Sequence, residues 1–172
     1  MFCFEIRIFA IKIKPELYKM KTAITHEELK LLIYLRLNSR EKLTKLSRIT
    51  QIPVSTIHEK LRQFSEGIIR KHTIILNSEV LGYPIKTHSV IKADSSSKQS
   101  LGEFLKKHDS VNNLYKVNNG FDYVFDAYFK GLNDAEGFFD ILEEKHKVKK
   151  IETHYILDEL KREGFLNREE VI

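Results

Sequence analysis

Residues Val54 to Glu66, VSTIHEKLRQFSE, hold the side chains best suited to recognition chemistry. Stepping 100 degrees per residue from Ile57 places Leu61 and Phe64 within about 40 degrees of it, the apolar stripe of an amphipathic helix. The opposite face carries Ser55, Glu59 and Arg62, flanked by Thr56, His58 and Gln63. Such hydroxyl, carboxylate, guanidinium, imidazole and amide groups match the donors and acceptors on base edges in a major groove. Arg62 can pair with guanine or with a phosphate. Glu59 can accept from a cytosine amino group but is repelled by phosphate, so it is expected to aim at bases or at Arg62. By themselves these residues also fit an ordinary solvated helix face, and the neighbouring elements must decide.

Those elements can be read on either side. Thr25 and Glu28 have the spacing of a capping box, and Leu31, Leu32 and Leu35 continue an apolar stripe to a first helix end near Leu37. Asn38-Ser39-Arg40 breaks it. Leu43, Leu46 and Ile49 predict a short second helix, Thr50-Gln51-Ile52-Pro53 a tight connection, and Gly67 the close of the third helix. A short helix, a tight turn and a helix opening on small hydroxyl residues form a helix-turn-helix. Gln51 stands where such turns often carry glycine and is expected to make a tighter turn at modest cost. Basic residues surround the motif: Arg40, Lys42, Lys45 and Arg48 before the turn, Arg70 and Lys71 after the last helix. Phosphate contacts position a protein on a duplex and supply much of its affinity. Lys45, Arg48 and Arg70 are therefore expected to bind phosphates, and Ser55, Thr56, His58, Glu59 and Arg62 to read bases.

The charge distribution agrees. The 172 residues carry a formal net charge of +5, and residues 21–77 hold eleven basic against five acidic groups. Residues 78–172 hold fourteen against seventeen, a mildly acidic remainder. Such asymmetry predicts two domains with two jobs, the basic one facing a polyanion. At 42% apolar the chain can build packed cores, and no apolar run is long enough for a membrane span. One cysteine, Cys3, excludes an internal disulfide and a cysteine-rich zinc site and fits a reducing cytoplasm. The seven histidines are scattered without metal-ligand spacing, no phosphate-binding glycine loop is present, and no cofactor is expected. Within residues 1–20, Met1 to Lys14 alternate loosely like a strand. Residues 1–20 are either an arm or a mis-assigned start, since Met20 offers a second start before the first helix signal.

Beyond the helices, Ile69 to Leu76 is β-branched and reads as a strand, with Leu81-Gly82-Tyr83-Pro84 a turn. Ile85 to Ala93 reads as a strand, Asp94 to Gln99 as a loop, and Leu101, Phe104 and Leu105 as a helix stripe. Val111 to Val117 and Phe121 to Phe129 read as strands about an Asn-Gly turn. Asn133 and Glu136 are expected to cap a helix with stripe Ala135, Phe138, Phe139 and Leu142, and Val148 to Leu157 is a last strand. The order β-α-β-β-α-β is the ferredoxin-like pattern. The fold class is therefore α+β, a (winged) helix-turn-helix domain followed by a ferredoxin-like domain. The expected organisation is an arm at 1–20, a DNA-binding domain at 21–68, a linking strand and hinge at 69–84, and an effector-binding and dimerisation domain at 85–172. Helices cover one sheet face. The other is expected to be an apolar patch that a second copy of the sheet covers, giving a homodimer.

Residues 24–166 resemble the leucine-responsive/asparagine regulator (Lrp/AsnC) family of prokaryotic transcription factors. The stretches that carry the resemblance are Leu46-Ser47-Arg48-Ile49, Ser55 to Arg62, Glu66-Gly67-Ile68-Ile69, Leu81-Gly82, Asn119 to Val124 and Thr153 to Leu157. The resemblance implies a cytoplasmic regulator that binds partly palindromic double-stranded DNA as a dimer, often assembled into tetramers or octamers. It also implies that an amino acid or related metabolite binds near the turn formed by Asn118, Asn119, Gly120 and Asp122. Phe121 follows Gly120 where the family commonly places an acidic residue, and Asn119-Gly120 also reads as a plain hairpin turn. Two other functions stay open. Certain haem-pathway decarboxylases resemble the family in both halves, but they carry a His- and Trp-containing segment, whereas this chain has no Trp and no histidine between His108 and His146. No enzyme activity is therefore expected. The third reading is a metabolite sensor whose helical domain binds protein rather than DNA.

Overall fold

The computed structural model describes residues 24–118 and 120–167. Residues 1–20, read above as an arm or a mis-assigned start, with Cys3 and Met20, and the turn residue Asn119 lie outside the described residues. The chain forms two compact units, one running to His72 and taking in the chain from Glu163, the other Thr73–Arg162.

The first unit contains α1 (His26–Leu37), α2 (Leu43–Thr50) and α3 (Val54–Ser65). The capping box sets the start of α1: the Glu28 N–H donates to Thr25 Oγ1 at 3.2 Å, and the Thr25 N–H donates to Glu28 Oε2 at 2.9 Å. Glu28 is also buried and ion-paired with Lys60 of α3. One carboxylate thus starts the first helix and ties it to the third. Leu31, Leu32, Leu46, Ile57 and Phe64 make the core, with Leu35, Leu43, Ile52 and Leu61 packed against it.

α2 stops at Gln51, whose φ of 61° is left-handed. The glutamine takes the conformation glycine usually supplies, and its side-chain amide donates to the Arg48 carbonyl at 2.7 Å. That bond offsets part of the strain, which is of order 1–2 kcal/mol for an L-residue. Gln51→Gly is expected to stabilise this unit by about 0.5–1 kcal/mol after the entropy cost of glycine. A thermal melt checks it; a lowered midpoint would mean that the amide–carbonyl bond outweighs the strain.

The second unit follows the expected order: β1 (Ile85–Ala93), α4 (Lys98–Lys107), β2 (Val111–Lys116), β3 (Tyr123–Phe129), α5 (Leu132–His146) and β4 (Val148–Tyr155). The sheet order is β2-β3-β1-β4, with every pair antiparallel. Period-two alternation buries Phe125, Ala127 and Phe129 of β3 and Ile91 and Ala93 of β1 against Leu101 and Leu105 of α4 and Ala135, Phe138 and Leu142 of α5. Phe138 sits at the centre, its ring 5.9 Å from that of Phe125 and 5.3 Å from that of Phe129.

Four expectations need correction. Ile69 to Leu76 is not a strand, and among the described residues no wing strand follows α3. Ile74, Ile75 and Leu76 are exposed. β-branched composition provides propensity, but a strand also needs a ladder partner, and this segment has none among the described residues. The loop after β1 is shorter than expected, because α4 starts at Lys98 once Asp94 has closed a turn by accepting from the Ser96 N–H at 2.9 Å. Asn133 and Glu136 do not cap α5. Gly131 is the cap residue, and no side chain bonds there; instead Asp134 accepts from the Lys130 N–H at 3.1 Å.

The fourth correction concerns the sheet face away from the helices, which is mostly polar. Strand register puts Lys86, His88, Val90 and Lys92 of β1 beside Val124, Asp126 and Tyr128 of β3 and Lys150, Glu152 and His154 of β4. Asp126 accepts from Asn113 Nδ2 at 2.9 Å and pairs with His88 Nδ1 at 2.8 Å. Charged residues take the outward positions that an apolar patch would need, so apolar burial alone does not require a second sheet.

Candidate nucleic-acid interface and effector cleft

The face that carries the base-reading candidates is built by α3. Burying Ile57 and Phe64 turns Ser55, Thr56, His58, Glu59, Arg62 and Gln63 outward, and all six are exposed. Glu59 and Arg62 are brought together. The Arg62 Nη2 donates to Glu59 Oε1 at 2.7 Å and its Nε to Glu59 Oε2 at 3.2 Å, while Nη1 donates to Glu66 Oε1 at 3.0 Å. Gln63 Nε2 adds a bond to Glu59 Oε1 at 3.0 Å. Hydrogen bonds from Arg62 hold the Glu59 carboxyl below its ordinary range, and Glu59 in turn raises the guanidinium.

The basic residues lie where helix order places them. Lys45 and Arg48 are exposed on α2, and Arg70 is exposed beyond α3. Lys45 is ion-paired with Glu41 at 2.6 Å. Reasoning from residue types left out Glu66 and Glu41 as partners, although both stand four residues from the cation they hold, a spacing that favours helix-face pairs. None of the phosphate-binding candidates is buried, so each can reach a polyanion without rearranging the core.

In the second unit, the expected effector turn joins β2 to β3. Asn118 and Gly120 are exposed, and Gly120 has a left-handed φ of 97°. Asp122 turns inward instead. It is buried, accepts from the Ala93 N–H at 3.1 Å, pairs with Lys98 and lies 3.7 Å from the Lys92 ammonium. Beside it opens a cleft of about 500 Å³ lined by Ser95, Lys98, Gln99, Gly102, Glu103, Lys116 and Tyr123. The Tyr123 hydroxyl donates to the Lys98 carbonyl at 3.0 Å. A Cβ at Gly102 would stand 2.5 Å from that hydroxyl, so glycine is needed for close packing here. No sequence signal marked this cleft, because its residues come from the loop after β1, α4, β2 and β3 and only the fold brings them together.

Burial pushes the Asp122 carboxyl up, but the Lys98 ammonium and the Ala93 N–H outweigh it and hold it below its ordinary value of 3.8. A carboxyl lowered in the folded state contributes stability that is present above the ordinary value and lost as pH falls through the lowered one. The second unit is expected to lose stability on that acid limb, and Asp122→Asn to destabilise it at neutral pH while flattening the limb. Urea midpoints across the acid range check this; an unchanged limb in the variant would remove Asp122 as its source.

A basic three-helix unit that exposes a polar recognition helix, joined to a ferredoxin-like unit with a polar cleft, is the build of a two-part helix-turn-helix regulator. Comparisons with known proteins narrow the class. Residues 89–166 match the Lrp/AsnC ligand binding domain family. The HTH-type transcriptional regulator FL11 of Pyrococcus abyssi is 26% identical over 148 residues, which cover 82% of this chain and 98% of that one. In fold, the chain is similar to the regulator NMB0573 of Neisseria meningitidis, solved as an L-Met complex, with a TM-score of 0.75 at 21% identity over 80% of this chain and 92% of that one. It is also similar to LrpC of B. subtilis, with a TM-score of 0.72 at 19% identity over 80% and 96%. The second unit thus matches the Lrp/AsnC ligand binding domain, and most of the chain is similar to an HTH-type transcriptional regulator. Among the described residues, no helix is long and apolar enough to cross a membrane.

Proposed function

We propose that this protein binds specific double-stranded DNA sites as a homodimer and that a small metabolite acting on its second unit modulates the binding. In this reading α3 enters the major groove. Ser55, Thr56, His58, Glu59 and Arg62 face base edges, and Lys45, Arg48 and Arg70 face phosphates. The observation that carries it is the helix-turn-helix geometry itself: a short α2, a tight left-handed turn at Gln51, and an α3 whose six polar residues are exposed on one side of a packed core. The dimer reading rests on the two-fold character of partly palindromic sites, to which two recognition helices about 34–36 Å apart are matched. A reducing cytoplasm suits it, and higher assembly into tetramers or octamers follows the family pattern.

The metabolite is an amino acid or a close relative of one, as the L-Met complex of the Neisseria regulator illustrates for that protein. Its contacts here fall to Asn118, Gly120 and the adjoining cleft, while Asp122 fixes Lys98 at the cleft wall. No catalytic role is assigned to any residue. A gel shift against the region upstream of the protein's own gene, at low and high salt, separates DNA binding from a protein-binding sensor. Retarded bands that weaken with salt are expected; no band at low salt would favour the sensor.

A further inference from the structure

We infer that Glu59 is a specificity-determining residue, acting by clamping Arg62 into the orientation that reads guanine and keeping it off phosphates; the inference rests on the DNA-reading role proposed for α3. A guanidinium has five N–H donors. Glu59 takes two of them side-on, through Nε and Nη2, and Glu66 takes one from Nη1. Two donors remain, one on each terminal nitrogen. A guanine edge, with acceptors at O6 and N7, takes one donor from each terminal nitrogen. Gln63 bonds the same Glu59 carboxylate and holds it in place.

The clamp also sets a cost on wrong contacts. An unpaired arginine on a recognition helix binds any phosphate, which adds affinity without sequence information. With Glu59 flanking the guanidinium, a phosphate meets a carboxylate beside its intended partner, and like charges brought together oppose binding. A guanine edge meets no such penalty. Glu66 adds the same negative charge to the face but takes only one donor, so it contributes repulsion without the side-on grip.

This difference makes a matched test. Glu59→Gln and Glu66→Gln each remove one negative charge from exposed positions one turn or less from Arg62. Binding of the full chain is measured by fluorescence anisotropy to a duplex selected for tight binding and to a scrambled duplex of equal length. Glu66→Gln is expected to tighten both duplexes by a similar factor and leave their affinity ratio unchanged. Glu59→Gln is expected to tighten only the scrambled duplex and lower the ratio about tenfold. If both variants move both duplexes equally, Glu59 is only a charge and the clamp is overturned. If neither variant changes either affinity, it is overturned as well. A wild-type protein that does not distinguish the two duplexes would overturn the DNA-reading role and the clamp together, an outcome visible before either variant is compared. Thermal melts confirm that these exposed substitutions leave folding intact.

Discussion

Arg62→Ala is expected to weaken binding to a cognate duplex by about tenfold to a hundredfold, as loss of a bidentate base contact worth roughly 1–3 kcal/mol requires. The folded state should hardly change, because the side chain is exposed and its ion pairs with Glu59 and Glu66 lie at the surface. The form of the loss identifies the contact. Removing a phosphate contact weakens all sequences alike and reduces the salt slope by about one. Removing a guanine contact leaves the slope nearly intact and relaxes preference at one position. The side-on grip of Glu59 predicts the second pattern. Anisotropy titrations over a range of salt, on the cognate duplex and on single-position variants, separate the two. Unchanged affinity and slope would exclude Arg62 from the interface.

Phe125→Ala is expected to destabilise the second unit by about 3–5 kcal/mol, the range for deleting a buried aromatic ring. Phe125 is fully buried on β3, meets the Phe138 ring edge to face and belongs to a cluster that joins sheet and helices. The void left behind is bounded by β1, β3 and α5, whose hydrogen-bonded backbones limit collapse. The first unit has a separate core of Leu31, Leu46, Ile57 and Phe64, so its helices should melt at their former midpoint. Hydrogen exchange resolved by segment reads both units in one sample. A loss below about 1 kcal/mol would show that neighbouring side chains fill the space.

Much of this arrangement is legible in the sequence because its signals are local. The capping box at Thr25 and Glu28 places α1, the three-residue recurrence of Leu43, Leu46 and Ile49 places α2, and Ile57, Leu61 and Phe64 orient α3. Alternation in β3 similarly assigns Phe125, Ala127 and Phe129 to the core. What escapes is non-local. Ile69 to Leu76 has strand composition, yet composition cannot supply a ladder partner. The polarity of the outer sheet face emerges only when register sets His88 beside Asp126 and His154. Asp122 carries a motif position that reads as ligand-facing, but a three-dimensional contact with Ala93 and Lys98 turns it inward. The polar face of α3 lies between these cases: its residues share one helix and can be listed from spacing, and Arg62 is one of the two aims its sequence allows Glu59, while Glu66 is added as a partner by side-chain geometry.

Selection of duplexes from a random pool by the full chain, followed by sequencing, tests sequence-specific DNA reading most directly. The expected result is enrichment of a partly palindromic site whose half-sites lie about one helical turn, or a multiple of one, apart, with guanine at a position that Arg62→Ala no longer enriches. A pool that emerges with no common sequence would contradict DNA reading by α3.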